Sequence, residues 1–308
     1  MHTKLNIIIF AFNRPKHLLN LFSSIKGCNT EGLELFFYIH IDGPRNKHEA
    51  KYVADVVMIC EEFSKANTNV EIIKLDENKG LAQSIFYYTN EVSKKVKHFI
   101  VLEDDLELHK GFFKFMSNSL SIYEKYENVW HINGWSFPNI DNGLNTYFSP
   151  QMSSWGWATW SNKWENLIRD DEIILNSMNK TDIHDFNIWG YHNFWRHFQL
   201  NHKGKMRTWA IYWYLSIHLK KAICVSPPRS LVNNIGNDFS GTNSRNNPIF
   251  ENNLEWDRKI HFDTEVKVNT DTKAKLIEFY SNRHFSFFAR GYRFLMSKFR
   301  KLINIKYP

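Results

Sequence analysis

Four apolar runs, the first three each followed by a stretch with helical spacing, constrain what this chain can fold into more than any other feature. Leu5 to Ala11 reads as a strand that stops at Phe12-Asn13-Arg14-Pro15, after which Leu18, Leu19, Phe22 and Ile25 recur at helical spacing. Leu35 to Ile41 stops at Asp42-Gly43-Pro44 and precedes a helix with Val53, Val56, Val57, Cys60 and Phe63 on one face. Val70 to Leu75 ends at Asp76, and Lys79-Gly80 opens a helix that carries Leu81, Ile85, Tyr88 and Val92. His98 to Leu102 runs directly into Glu103-Asp104-Asp105. Strands and helices that alternate at these lengths predict an α/β fold: a mostly parallel sheet flanked by helices, whose ligands bind beyond the carboxyl ends of the strands. Asn13, Arg14, Asp42, Asp76 and Glu103 to Asp105 all fall at those ends, along one edge.

Past residue 110 the alternation is lost. Phe112 to Tyr126 reads as a helix and Trp130 to Trp135 as a short strand, and a polar loop then runs to Pro150. Ser153-Ser154-Trp155-Gly156-Trp157-Ala158-Thr159-Trp160 follows, then helical segments, a strand near Ile223 to Val225, and a polar stretch from Asn233 to Asn247. With 308 residues, 43% of them hydrophobic, the chain can bury a sizeable core. Cys28, Cys60 and Cys224 lie far apart without C-x-x-C pairing, which suggests a reducing compartment. No apolar run is long enough to span a membrane. The net charge of +7 is carried by the stretch from Phe279 to Pro308, which holds seven Lys and Arg and no acid. The formally neutral body argues against a nucleic-acid partner.

Three consecutive acids at the end of a buried strand cost energy unless a cation compensates them. A hard divalent ion, Mn2+ or Mg2+, is one answer, with Glu103 and Asp105 on the same side of the chain and Asp105 as the ligand; a solvated loop or helix cap is the other. Arg14 either meets phosphate with its planar fork or pairs with an acid. Asp42-Gly43-Pro44 is either a ligand-binding edge or an ordinary turn. The indoles of Trp155, Trp157 and Trp160 either fill a core layer or face a sugar. Gly156, between two large rings, favours a tight bend and close ligand approach. Asn237 to Thr242 has the composition of a mobile lid or of a surface loop.

Taken together, Phe12-Asn13-Arg14, Asp42-Gly43 and Glu103-Asp104-Asp105-Leu106-Glu107 resemble the corresponding segments of GT-A glycosyltransferases. The E-D-D-L-E segment with Phe112-Phe113 beyond it is most similar to glycosyltransferase family 13, whose members initiate complex N-glycan branching. The likeness covers roughly residues 5 to 245. It implies diphosphate contact at Arg14, with Phe12, Asn13 and Lys79 beside the donor, uracil contact at Asp42 and manganese at Asp105. Glu103 and Asp104 would support the ribose and sugar, and a loop at Asn233 to Asn243 would order over the bound donor. One element departs: the family's base lies in a Trp-Asp-Asp-Trp element, and the matching segment here is Trp209-Ala210-Ile211-Tyr212-Trp213. An inverting transfer needs a proton acceptor, and Asp238 is the candidate. The Trp-Gly-Trp segment resembles bacterial surface-polysaccharide transferases and the acceptor loops of galactosyltransferases, which implies acceptor contact at Trp155, Gly156 and Trp157.

The implied protein is a metal-dependent glycosyltransferase with a UDP-sugar or other nucleotide-sugar donor and a glycan or lipid-linked saccharide acceptor. A nucleotidyltransferase of similar fold and a noncatalytic carbohydrate-binding protein are its rivals. The expected organisation is a catalytic domain over residues 1–278, with a nucleotide-binding half to 110 and an acceptor half from 111, then a basic tail over 279–308. In that tail Phe288, Tyr292, Leu295, Met296, Phe299, Leu302 and Ile303 fall opposite Arg290, Arg293, Arg300 and Lys301 on a helical wheel. Such a C-terminal amphipathic helix either lies on an anionic membrane surface or docks on protein. The expected location is the cytoplasm, peripheral at the inner face of the membrane.

Overall fold

The computed structural model describes residues 2–140, 142–236, 254, 256 and 258–282. Its first half follows the predicted alternation: β1 (Thr3–Ala11), α1 (Pro15–Lys26), β2 (Leu33–Ile41), α2 (Lys47–Ala66), β3 (Val70–Lys74), α3 (Leu81–Ser93) and β4 (His98–Glu103). Local chemistry explains the boundaries. Pro15 stands in the first turn of α1, where its missing N–H costs nothing, and Asn46 caps α2 by accepting from the Glu49 N–H at 3.0 Å. Gly80, at φ +78°, supplies the left-handed residue that starts α3.

The second half adds β5 (Leu106–Leu108), α4 (Phe112–Tyr123), β6 (Val129–Asn133), β7 (Tyr147–Ser149), β8 (Trp157–Trp160) and α5 (Ser161–Trp164). Then follow α6 (Asp171–Ser177), α7 (Lys180–Phe186), α8 (Phe194–His202), α9 (Ala210–Leu219), β9 (Ile223–Ser226) and β10 (Val232–Asn234). A further helix occupies 270–282.

Eight strands form one sheet in the order β3-β2-β1-β4-β8-β6-β9-β7. β8 runs against β4 and β6, and β7 against β9, so the other six strands run one way. The α/β architecture predicted from the alternation is therefore present. β5 and β10 pair separately as an antiparallel ribbon, with Asn234 opposite Leu106 and Val232 opposite Leu108.

Strand order places the crevice. The chain moves outward from β1 to β2 and β3, then returns to put β4 on the other side of β1. Right-handed crossovers set α1 and α2 on one face and α3 on the other. The order therefore reverses between β1 and β4, and at such a switch point the following loops part and leave room for a ligand. Phe12 to Arg14 leave β1 on one side of that gap, and Glu103 to Asp105 leave β4 on the other.

The core runs through both halves. Ile7, Ile9, Ile39, Ile100 and Leu102 are fully buried in the parallel strands, while Phe99, Trp157, Trp164 and Trp213 form an aromatic centre in the second half. The helix 270–282 crosses position 278 without a break, and Phe279 and Tyr280 pack on Phe137. The expected tail from Phe288 and the candidate base Asp238 lie outside the described residues. Among the described residues no helix is long and apolar enough to cross a membrane. All three cysteines are buried free thiols, and burial raises Cys28 and Cys60 to about 12, so neither supplies a thiolate at neutral pH.

Candidate functional site

At the switch point, Arg14 bridges the acids of the opposite strand end. Its Nη1 donates to Asp105 Oδ2 at 2.8 Å and its Nη2 pairs with Asp104 Oδ1. Asp104 Oδ2 also accepts from the Phe12 N–H at 3.3 Å, and the Asp104 N–H donates to the Phe10 carbonyl at 3.0 Å, which extends the β1–β4 ladder into the acidic segment. Strand pairing thus brings together residues 90 and 91 positions apart in the chain. Burial works against the charge of Arg14, but Asp104 and Asp105 outweigh it and raise its pKa.

One guanidinium faces three carboxyl groups. Glu103 has no hydrogen-bond or ion-pair partner among the described residues. Burial, followed by the neighbouring Asp105, pushes its pKa up to about 8 against the pull of Arg14. Asp104 is raised in the same way, chiefly by burial, with Arg14 opposing. An uncompensated carboxyl beside Asp105 fits a hard cation held by oxygen ligands. Among the described residues no three His, Cys, Asp or Glu side chains converge on one point, so an ion on Asp105 would complete its shell from a ligand's oxygens and water.

The β5–β10 ribbon covers Asp105 from the other side. The Ile235 N–H donates to the Asp105 carbonyl at 2.9 Å, and Asn234 Nδ2 lies 3.4 Å from Asp105 Oδ1. The Gly236 main chain passes so close that a Cβ there would sit 2.2 Å from Asp105 Oδ2. The part of the expected donor-covering loop that is described, 233–236, thus lies against the acidic segment. Sequence reasoning missed Asn234 and Gly236 as individuals, because nothing local in that polar stretch singles them out.

Asp42 is 5% exposed and holds a turn. Its Oδ1 accepts from the N–H groups of Gly43 at 3.0 Å and Lys79 at 2.8 Å, and its Oδ2 accepts from Gly80 at 2.9 Å. Three of the four acceptor directions of the carboxylate are therefore used within the protein, leaving one for a ligand. Gly43 permits this docking, since a Cβ there would lie 2.4 Å from the Glu77 backbone. The Lys79 side chain points to solvent and pairs with Glu77 at 3.2 Å. Asn13 reaches Glu49 at 3.4 Å, and Arg45 grips that same carboxylate through Nε at 3.0 Å while lying over the Phe12 ring. A groove of about 280 Å3 beside them is lined by Asn13, Arg14, His48, Glu49 and Tyr52.

The aromatic loop divides. Trp157 is fully buried on β8, stacked on His131 and Trp209, and offers no surface to an acceptor. Gly156 makes the expected bend at φ +58°, but what approaches it is protein: a Cβ there would meet Val232 at 2.9 Å, and its carbonyl accepts from the Gly134 N–H at 2.7 Å. The correction to the sequence reading is that Trp157 and Gly156 pack the interior. Trp155 keeps a partly exposed ring, set edge-on to Trp135.

Two side chains of β6 hold this loop in place. The Ser153 N–H donates to Asn133 Oδ1 at 2.6 Å, and the Ser153 carbonyl meets His131 Nε2 at 3.1 Å. Trp213 Nε1 donates to His131 Nδ1 at 3.0 Å, which assigns the imidazole proton to Nε2. Along α9, Trp209 to Trp213 present no carboxylate, but Tyr212 donates to Asp171 Oδ1 at 3.0 Å, and His202 Nδ1 lies 2.8 Å from Asp171 Oδ2.

No protein-family model matches the chain, and no curated protein matches it. Among solved structures it is similar to S. aureus TarS 1-349 in complex with UDP-GlcNAc, at 14% identity over 44% of this chain and 35% of that one, with a TM-score of 0.34. Against S. aureus TarS 1-349 without ligand the identity is 9% over 77% of this chain and 62% of that one, with a TM-score of 0.45. The mannosyltransferase PcManGT from Pyrobaculum calidifontis, in complex with GDP-Man and Mn2+, is similar at 9% identity over 72% of this chain and 70% of that one, with a TM-score of 0.41. The chain thus spans about a third of the length of the UDP-GlcNAc complex. With each of these scores below 0.5, the functional reading rests on the residues of the chain itself.

Proposed function

We propose that this chain is a glycosyltransferase of the GT-A type that transfers a sugar from a nucleotide-sugar donor, with UDP as the expected nucleotide, to a glycan or lipid-linked acceptor. The observation that carries the reading is the meeting of Arg14 with Asp104 and Asp105 across the switch point, beside the carboxyl of Glu103, which is unpaired among the described residues. It supplies one fixed cation and an excess of carboxylate where such a sheet binds ligands, which suits a diphosphate held together with a divalent ion.

In this reading the groove along Asn13, His48 and Tyr52 takes the nucleoside, and the open acceptor direction of Asp42 meets its base. Arg14 takes phosphate oxygens with its fork, and Asp105 holds Mn2+ or Mg2+ with Glu103 and Asp104 in support. When bound, the ion offsets the charge that builds on the leaving diphosphate. Trp155 lines the acceptor side, and the segment leading from Gly236 to Asp238 covers the donor, with Asp238 as proton acceptor. The role is synthesis of a bacterial surface polysaccharide, with the basic tail holding the protein at an anionic membrane surface.

Calorimetric binding of UDP, GDP and CMP with and without Mn2+ tests this. Binding of UDP that requires Mn2+ and is lost in Asp105→Ala is the expected outcome. Absence of nucleotide binding under every condition would sink the reading and favour a carbohydrate-binding protein. Transfer of the nucleoside monophosphate unit with release of sugar 1-phosphate, instead of transfer of the sugar with release of nucleoside diphosphate, would make the chain a nucleotidyltransferase.

A further inference from the structure

If the crevice takes a nucleotide-sugar as proposed, its cation and its diphosphate meet at Arg14 and Asp105. Three neighbours crowd the Asp105 carboxylate. Arg14 Nη1 sits 2.8 Å from Oδ2, the Gly236 main chain covers that same oxygen, and Asn234 stands over Oδ1. The Asp105 side chain is 11% exposed, that of Asp104 3% and that of Arg14 17%, so the pairing is screened little by solvent. A divalent ion on Asp105 Oδ2 and a guanidinium at hydrogen-bond distance from that oxygen are like charges in a poorly hydrated place. They exclude each other unless one moves.

Arg14 has somewhere to go. Its planar fork now bridges two carboxylates, and the same geometry bridges two phosphate oxygens. The groove that Arg14 lines is lined also by Asn13, His48, Glu49 and Tyr52, and by neither Asp104 nor Asp105. A diphosphate entering there competes with Asp104 and Asp105 for the guanidinium.

We infer that Arg14 is the resident counter-ion of the acidic segment, and that a divalent cation gains Asp105 only when a diphosphate draws the guanidinium off it. Cation and nucleotide then bind as a unit, and each raises the affinity for the other by the same factor. Asp105 without nucleotide is a poor cation site because Arg14 already fills it.

Titration of Mn2+ into the full chain, alone and with saturating UDP or GDP, is compared with the same titration of Arg14→Met, which keeps length and removes charge. Wild-type protein is expected to bind Mn2+ at least tenfold more tightly with nucleotide than without. Arg14→Met is expected to bind Mn2+ alone at least tenfold more tightly than wild-type does, with the nucleotide effect reduced to what direct contact of the diphosphate with the ion supplies. A variant that binds Mn2+ alone no more tightly than wild-type overturns the inference. Should wild-type bind neither nucleotide, the donor reading fails, and the comparison of the two proteins with Mn2+ alone still decides whether Arg14 guards the acids. Should Arg14→Met not fold, thermal melting of wild-type decides: Mn2+ alone leaves Tm unmoved and Mn2+ with nucleotide raises it, whereas an equal rise from Mn2+ alone overturns the inference.

Discussion

Gly236 shows how much one absent methyl group can matter. Its φ is not in the left-handed region, so its backbone suits any residue, and the space over Asp105 is what it supplies. A Cβ there would lie 2.2 Å from Asp105 Oδ2 and 2.9 Å from Cγ, and the nearer atom is the end of a side chain that can turn. Gly236→Ala is therefore expected to displace the carboxylate and leave the fold standing. Overpacking of this kind costs about 1–3 kcal/mol, so Tm should fall by only a few degrees. Mn2+-dependent nucleotide affinity should drop by about tenfold or more, as when a group that orients a metal ligand is disturbed. Unchanged affinity would mean that Asp105 has freedom the packing does not suggest. Neither Asn234 nor Gly236 was legible in the sequence, since both lie in a polar stretch and owe their place to a ribbon partner about 130 residues away, as the 129-residue separation of Asn234 and Asp105 shows. Arg14 and the acids were legible as charged residues at strand ends, but their pairing with each other belongs to the β1–β4 ladder and not to any local pattern.

At the scale of elements, β1 to β4 were legible because each is a run rich in apolar residues closed by a turn residue, although burial on both faces holds for β1 and β4 and not for the edge strand β3. β8 was not. Trp157-Ala158-Thr159-Trp160 is buried at all four positions, so it has no polar alternation, and its glycine neighbour suggested a loop. Only the antiparallel insertion between β4 and β6 makes it a strand. The neighbouring β6 carries His131, whose imidazole accepts from Trp213 and donates to Ser153, and which burial lowers to about 3. His40 on β2, beside Tyr88, is lowered to about 4, again by burial. Both are neutral in the fold and take up a proton in the unfolded chain near 6.5, so the unfolded state binds more protons as pH falls below that value. Stability is therefore expected to be fully present above pH 6.5 and to fall through the window from 6.5 towards 4. His131 alone accounts for about 2 kcal/mol between pH 7 and pH 5. Denaturant midpoints at the two pH values measure it, and His131→Gln should lower stability at pH 7 yet show a shallower acid slope. Equal slopes in both proteins would mean that His131 is not the group responsible.

On the scale of the whole molecule, the first half forms the crevice and the second half packs a ribbon against it. The reversal of strand order between β1 and β4 sets the crevice, and the β5–β10 ribbon closes on Asp105 from the second half. A helix at 270–282 then ties the end of the described chain to Phe137 through Phe279 and Tyr280. Beyond it the sequence carries Arg283, Arg290, Arg293, Lys298, Arg300, Lys301 and Lys306 without an acid, a charge equal to the net charge of the whole protein. Charge placed this unevenly does little for the fold and much for long-range attraction to an anionic surface. If the tail holds the protein at a membrane, each basic residue near the surface contributes about 1 kcal/mol, and exchanging Arg290, Arg293, Arg300 and Lys301 for Glu removes about 4 kcal/mol or more. Cosedimentation with vesicles rich in phosphatidylglycerol should then fall by about a thousandfold, and binding of the parent chain should weaken as salt is raised. Nucleotide binding should be the same in both proteins, because none of the exchanged residues is a candidate donor-site residue. A parent chain that ignores anionic vesicles at low salt would instead make the tail a helix that docks on protein, and the acceptor would then have to reach the crevice from solution.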